Sequence, residues 1–325
     1  MHVTSNMIDR QLRARGTLLK LLMGSSSEAR FRWTQKLLRK AIVGRNIKGL
    51  RCRTEWIERP DGTKLRMRVY QPKEPAENVP GLLWLHGGGY ATGVPEMCFG
   101  SIRRMVEASG CTVVAPDYLL SIEAPYPAAI EDCYTALLWM KEHTADLGIR
   151  SDQLMVGGES AGGGLTAALT LLARDRGEVN IAFQMPLYPM LDDRMVTESA
   201  RENDAPVWNS DYNRLAWRMY LGPLFGGQVP AHAAAARAND YHALPPTATF
   251  VGDLEPFRDE TVRYIADLKA AGVPVHFAVY PGCYHAFDLI APGAEVSKQA
   301  VAALMESFSY AVKHYFSPQP ADSNL

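Results

Sequence analysis

The feature that most limits what this chain can become is the octapeptide Gly157-Gly158-Glu159-Ser160-Ala161-Gly162-Gly163-Gly164. Before it stands the short apolar run 153–156, which reads as a strand. After it comes Leu165–Arg176, rich in Leu and Ala and free of Pro and Gly, which reads as a helix. A Gly-x-Ser-x-Gly set between strand and helix predicts a sharp, strained turn that holds the Ser160 hydroxyl out over a cleft. Glycines at 158 and 162 are what such a turn demands, since a Cβ at either would collide with it. Alone, the pentapeptide arises by chance in roughly one chain of this size in ten, so the serine's partners must carry the argument.

The flanking sequence alternates. Strands are expected at Gly81–Leu85, Cys111–Ala115, Leu154–Val156, Ile181–Leu187, Ala248–Val251 and Val275–Tyr280, with helices at Ser101–Ser109, Ala128–Thr144, Leu165–Arg176, Arg258–Ala271 and Val296–Tyr315. Such alternation calls for an α/β fold with a mostly parallel central sheet and helices on both faces. Two further strands, Glu55–Arg59 and Leu65–Gln71, are joined at the turn signal Pro60-Asp61-Gly62 and add an antiparallel pair at one edge. The alternation breaks between Asp192 and Pro246. There Trp208, Tyr212, Trp217 and Tyr220 are spaced as on one helix, and without a sheet partner that segment reads as a cap over the cleft.

Charge is unevenly placed. The first fifty residues hold eleven Lys or Arg against Asp9 and Glu28, a net of +9, so with a total of −1 the remainder carries −10. A targeting or membrane-surface segment has this composition, but Ile8, Leu12, Leu19 and Leu22 recur near helical spacing and favour a helix pair packed on an acidic body. The near-neutral total gives no reason to expect a nucleic-acid partner. Five scattered cysteines without a C-x-x-C pair argue against a disulfide framework or a zinc site and fit a reducing compartment. No apolar run approaches the ~20 residues of a membrane span, and Arg10, Arg13 and Arg15 interrupt any signal-peptide core. The expectation is a soluble, cytoplasmic enzyme with no stable membrane insertion. Neither an HExxH motif nor a P-loop signals a metal or cofactor, and none is expected.

A serine hydroxyl needs a base, and the base needs an orienting acid. In an open α/β sheet both belong just beyond the carboxyl ends of strands. His285 lies in the loop after Val275–Tyr280, whereas His276 is inside that strand and His143 and His314 fall late in helices. The acid must come from Gly252-Asp253-Leu254-Glu255-Pro256-Phe257-Arg258-Asp259-Glu260. Asp259 and Glu260 suit the first turn of the following helix, where the dipole favours negative charge. Asp253 and Glu255 both remain as candidates. His86-Gly87-Gly88-Gly89, after a buried strand, offers backbone N–H groups close to a developing negative charge, and the Ala161 amide adds another. His86 itself reads as a residue that fixes the loop.

In this order, HGGGY, GESAGG, LEPFRDE and YHAF resemble the hormone-sensitive-lipase-like (bacterial family IV) carboxylesterases of the α/β-hydrolase superfamily, over about residues 50–317. The resemblance implies a serine carboxylesterase with Ser160 as nucleophile, His285 as base and Glu255 as acid, Glu255 standing where the family more often has Asp. It further implies Gly88, Gly89 and Ala161 as the oxyanion hole, and a cap made of residues 1–50 and 192–246 over a core of 51–191 and 247–325. Tyr90, Tyr188 and Trp208 are expected to wall the pocket. A small-molecule ester of short to medium acyl chain is the expected substrate, and a homodimer the expected assembly. An amidase or aryl formamidase would use the same triad, and a non-catalytic ligand receptor could share the fold.

Overall fold

The computed structural model describes residues 1–59 and 61–321. Eight strands form one sheet: β1 Leu50–Glu58, β2 Lys64–Pro72, β3 Val79–Leu85, β4 Thr112–Pro116, β5 Ile149–Glu159, β6 Phe183–Leu187, β7 Thr247–Gly252 and β8 Val275–Tyr280, in spatial order β1-β2-β4-β3-β5-β6-β7-β8. β2 runs antiparallel to both β1 and β4, and every other neighbouring pair is parallel. The β1–β2 hairpin closes where the turn signal predicts it, with the Arg59 amide donating to the Thr63 carbonyl at 2.7 Å and Asp61 accepting from the Thr63 amide at 2.9 Å. Pro60, named in that turn signal, lies outside the described residues.

The helices are α1 Arg13–Leu22, α2 Glu28–Ile42, α3 Phe99–Ser109, α4 Ala128–Glu142, α5 Thr144–Leu147, α6 Ala161–Arg176, α7 Glu198–Arg201, α8 Ser210–Leu221, α9 Arg258–Ala270, α10 Phe287–Ile290 and α11 Glu295–His314. Side chains of successive strand residues point to opposite faces, and here both faces are buried. Leu83, Leu85, Val114 and Val156 pack with α4 and α6, while Leu82, Trp84, Val113 and Met155 pack with α3 and α11. The central strands therefore read as unbroken apolar runs, as a parallel sheet covered on both sides requires. None of the described helices is long and apolar enough to cross a membrane.

The departures from the sequence reading have local causes. β1 begins at Leu50 and β5 at Ile149, several residues before the expected starts; the part-exposed, mostly polar residues 51–54 and 150–152 gave no apolar run by which to read them as strand. Trp208 lies outside the helix shared by Tyr212, Trp217 and Tyr220. Asn209 ends that possibility: its side chain accepts from the Tyr212 amide at 3.0 Å and caps α8 at Ser210. Ile8 and Leu12 are buried, but they precede α1, so the helical phase restarts and Leu22 faces solvent.

Residues 1–50 are braced against the loops that carry Gly282, Ile290 and Gly93. The Asp9 amide donates to the Gly282 carbonyl at 2.9 Å, and Arg15 to the Ile290 carbonyl at 2.7 Å, on either side of His285. From α2, the Gln35 amide group donates to the Gly93 carbonyl at 3.0 Å and accepts from the Gly93 amide at 2.8 Å, just beyond the HGGG run.

Candidate active site

Ser160 stands between the last residue of β5 and the first of α6, with φ +60° and ψ −118°. A non-glycine residue there stores roughly 1–3 kcal/mol of strain and persists only when its surroundings over-determine it. They do. The Ser160 amide donates to the Leu187 carbonyl at 3.0 Å, and its own carbonyl accepts from the Gly164 and Met190 amides at 2.9 and 3.1 Å. A Cβ on Gly158 would lie 2.5 Å from the Gly162 carbonyl oxygen, and one on Gly162 only 2.1 Å from that of Leu85. The elbow is thus pressed onto the end of β3, where the HGGG loop begins.

Ser160 Oγ donates to His285 Nε2 at 2.8 Å, and His285 Nδ1 donates to Glu255 Oε2. Glu255 Oε1 accepts from the Gly252 amide at 2.9 Å, so each carboxylate oxygen has an N–H donor. Glu255 is completely buried, while Ser160 retains 8 % exposure, enough to meet a ligand without standing free in water. The other three candidate acids lie elsewhere. The Asp253 carboxylate lies by the Gly282 and Cys283 amides, Asp259 accepts from Ser199 and Arg258, and Glu260 accepts from the Leu191 amide at 2.7 Å.

The HGGG loop lies against the serine. A Cβ on Gly87 would come within 2.9 Å of the Glu159 carbonyl oxygen and 3.2 Å of Ser160 Cβ. Gly88, at φ +119°, adopts a conformation that L side chains rarely reach. The amides of Gly88, Gly89 and Ala161 donate to no acceptor among the described residues, which leaves three N–H groups uncommitted in the HGGG loop and at the start of α6. His86 is fully buried, stacked on Tyr118 at 4.1 Å, with Nδ1 bonded to the Gly87 carbonyl; burial pushes its pKa down, and its ring hydrogen-bonds to neither Ser160 nor Glu255.

Aromatic rings close around the imidazole. Trp208 is 6.4 Å from the His285 ring and covers Gly89, whose added Cβ would meet the indole at 2.3 Å. Tyr188 packs edge-on to His285 at 5.1 Å. Tyr90 is buried deeper, stacked on Tyr220 at 3.9 Å with its hydroxyl donating to the Met190 carbonyl. Phe257, which the sequence reading did not single out, also packs edge-on to His285 at 5.1 Å. Its position two residues beyond Glu255 was the available signal.

A second acidic group sits behind the serine and was likewise missed. Glu159 accepts from the Ser101 hydroxyl, with the Cys98 thiol at 3.9 Å, and Asp288 lies close by with Tyr188 and Arg104. Burial pushes Glu159 up to about 7 and Asp288 up to about 6. Sequence proximity to Ser160 and His285 was the only hint. Among the described residues no group of three or more His, Cys, Asp or Glu is arranged to hold a metal ion.

A mostly parallel eight-stranded sheet, with a strained serine after a central strand and a histidine beyond the last, defines an α/β hydrolase. Residues 82–289 match a family described as an alpha/beta hydrolase fold. The chain is 36% identical over 222 residues to esterase LipI of Mycobacterium tuberculosis, covering 67% of this chain and 69% of that one. It is 34% identical over 250 residues to carboxylesterase NlhH of the same species, covering 74% and 78%. The solved structure of a bacterial heroin esterase superposes with a TM-score of 0.85 at 34% identity, covering 95% of this chain and 99% of that one. The chain belongs to the hormone-sensitive-lipase-like carboxylesterases of the α/β hydrolase fold family.

Proposed function

We propose that this carboxylic ester hydrolase works through Ser160 as nucleophile, His285 as general base and acid, and Glu255 as the acid that orients the imidazole. The observation that carries the reading is the continuous relay in which Ser160 Oγ meets His285 Nε2 at 2.8 Å while the opposite ring nitrogen is held by Glu255. Attack of Oγ on the ester carbonyl transfers its proton to Nε2. Glu255 keeps Nδ1 protonated, so Nε2 is free to accept, and then stabilises the imidazolium. The tetrahedral oxyanion is taken up by the uncommitted amides of Gly88, Gly89 and Ala161, each such donor being worth on the order of a hundredfold in rate. Collapse expels the alcohol with the proton from Nε2, and water repeats the sequence on the acyl-enzyme.

Short- to medium-chain acyl groups fit best, because Trp208 and Phe257 crowd the space above the imidazole. The test is hydrolysis of p-nitrophenyl esters from acetate to laurate by the wild type and by Ser160→Ala. Activity should peak at short chains and fall by about four orders of magnitude or more in the variant. Faster hydrolysis of long-chain triglyceride emulsions than of butyrate esters would overturn the pocket assignment. An enzyme active on amides or formamides but on no ester would overturn the choice of bond.

A further inference from the structure

The N-terminal helices carry an outer surface that the ester chemistry does not use. In α1, Gly16 faces inward, whereas Leu18, Leu21 and Leu22 face solvent, Leu21 with 79 % exposure. α2 turns Phe31 and Gln35 inward. At 100° per residue, Trp33 and Leu37 emerge on the opposite side, flanked by Lys36 and Lys40. Trp33 is 64 % exposed. Arg30 at the start of α2 donates to the Leu22 carbonyl at the end of α1 at 3.3 Å, which joins the two outer faces. Single exposed leucines are ordinary, but four leucines and a tryptophan between residues 18 and 37 form a patch that calls for an occupant.

The charge around the patch selects that occupant. α2 carries five cations, Arg30, Arg32, Lys36, Arg39 and Lys40, against Glu28. Arg32 pairs with Glu28 and Arg39 with Asp117, while Lys36 and Lys40 form no ion pair with any described residue. Leucine and tryptophan beside unpaired lysines make up the kind of helix that lies in the headgroup plane of an anionic bilayer. A second copy docked through the same face would bring like charges together. None of the described helices can span a membrane, so the contact is peripheral.

We infer that the outer face of α1 and α2 docks the protein on an anionic lipid surface. Phe31, on the inner side of α2, packs 6.5 Å from Trp208, which in turn faces His285. Docking therefore brings the lid of the proposed site to the bilayer, where apolar esters concentrate.

Flotation of the full chain with phosphatidylcholine vesicles, with and without roughly 30 mol % phosphatidylglycerol, tests this directly and needs no turnover, so it stands or falls apart from the catalytic reading. The bound fraction should rise at least about tenfold with the anionic lipid and collapse near 0.5 M salt, where screening shortens to a few ångström. Lys36→Glu/Lys40→Glu and Leu21→Ser/Trp33→Ser should each cut binding about tenfold while hydrolysis of a soluble acetate ester is unchanged. Equal flotation with neutral and anionic vesicles, or unaltered binding by both variants, would overturn the inference. So would a concentration-dependent dimer that Leu21→Ser/Trp33→Ser abolishes while vesicles capture nothing, which would give the face to a second copy.

Discussion

Two buried glutamates flank the same serine, and they live differently. Glu255 comes from the loop after β7 and has an N–H donor on each oxygen, one from Gly252 and one from His285. Glu159 is the chain neighbour of Ser160, yet it accepts from the Ser101 hydroxyl with only a long thiol contact besides, and its neighbour Asp288 is a second acid. Burial with so few donors pushes Glu159 up to about 7, whereas the geometry around Glu255 is that of a group built to hold a ring nitrogen. Closeness in sequence to Ser160 therefore says little about whether an acid bonds to its histidine partner. The donor set decides.

The sharpest way to break this contrast is to neutralise each glutamate in turn. Glu255→Gln should lower kcat by about a thousandfold to ten-thousandfold, with the fold retained, because an amide no longer holds the correct imidazole tautomer. Glu159→Gln should cost less than about tenfold, since its side chain hydrogen-bonds to Ser101 and Cys98 and to neither His285 nor Ser160 Oγ. Equal losses in steady-state kinetics would erase the distinction. Glu255→Asp belongs between them: one methylene shorter, it cannot serve both Gly252 and His285 in place, and about a tenfold to hundredfold loss in kcat is expected.

The pH dependence of stability sharpens the comparison from the other side. Glu159 rises from its ordinary 4.5 to about 7 on folding, so the folded state binds the proton more tightly. Its contribution is full below about pH 4.5 and is lost as pH climbs through about 7, with Asp288 acting in the same sense between 3.8 and about 6. Denaturant titrations should then find Glu159→Gln gaining on the wild type as pH rises across that window, by on the order of 3 kcal/mol. A flat difference between the two curves would remove Glu159 as the titrating group.

The smallest effect concerns the brace. Gln35→Ala removes both hydrogen bonds that α2 makes to Gly93 and should cost roughly 1–3 kcal/mol of stability. A several-fold fall in kcat for acetate esters should accompany it if that brace holds the HGGG loop, measured beside Glu255→Gln as the upper bound.

Much of this was legible in residue order. Val275–Tyr280 is β8 to the residue, and the apolar runs of β3 and β7 announced strands buried on both faces. Ser160 and His285 were readable because the proposed chemistry calls for them at strand ends, and strand ends can be found by pattern. Glu255 and Asp253 could not be separated by local physics, since two loop carboxylates two residues apart look alike until the loop has a shape. Phe257 was hidden for the same reason. Packing partners more than 100 residues apart leave no periodic trace, as with Glu159 and Asp288.

Residue order alone determined the alternating sheet, the glycine-lined elbow and the glycine run facing it, because each depends on what a few consecutive residues can sterically do. Tertiary structure alone decided which acid reaches His285, that Trp208 stands outside its expected helix and over Gly89, and that Leu22 faces water. Those outcomes depend on distances between segments, and only the packed sheet and the segments folded over it set such distances.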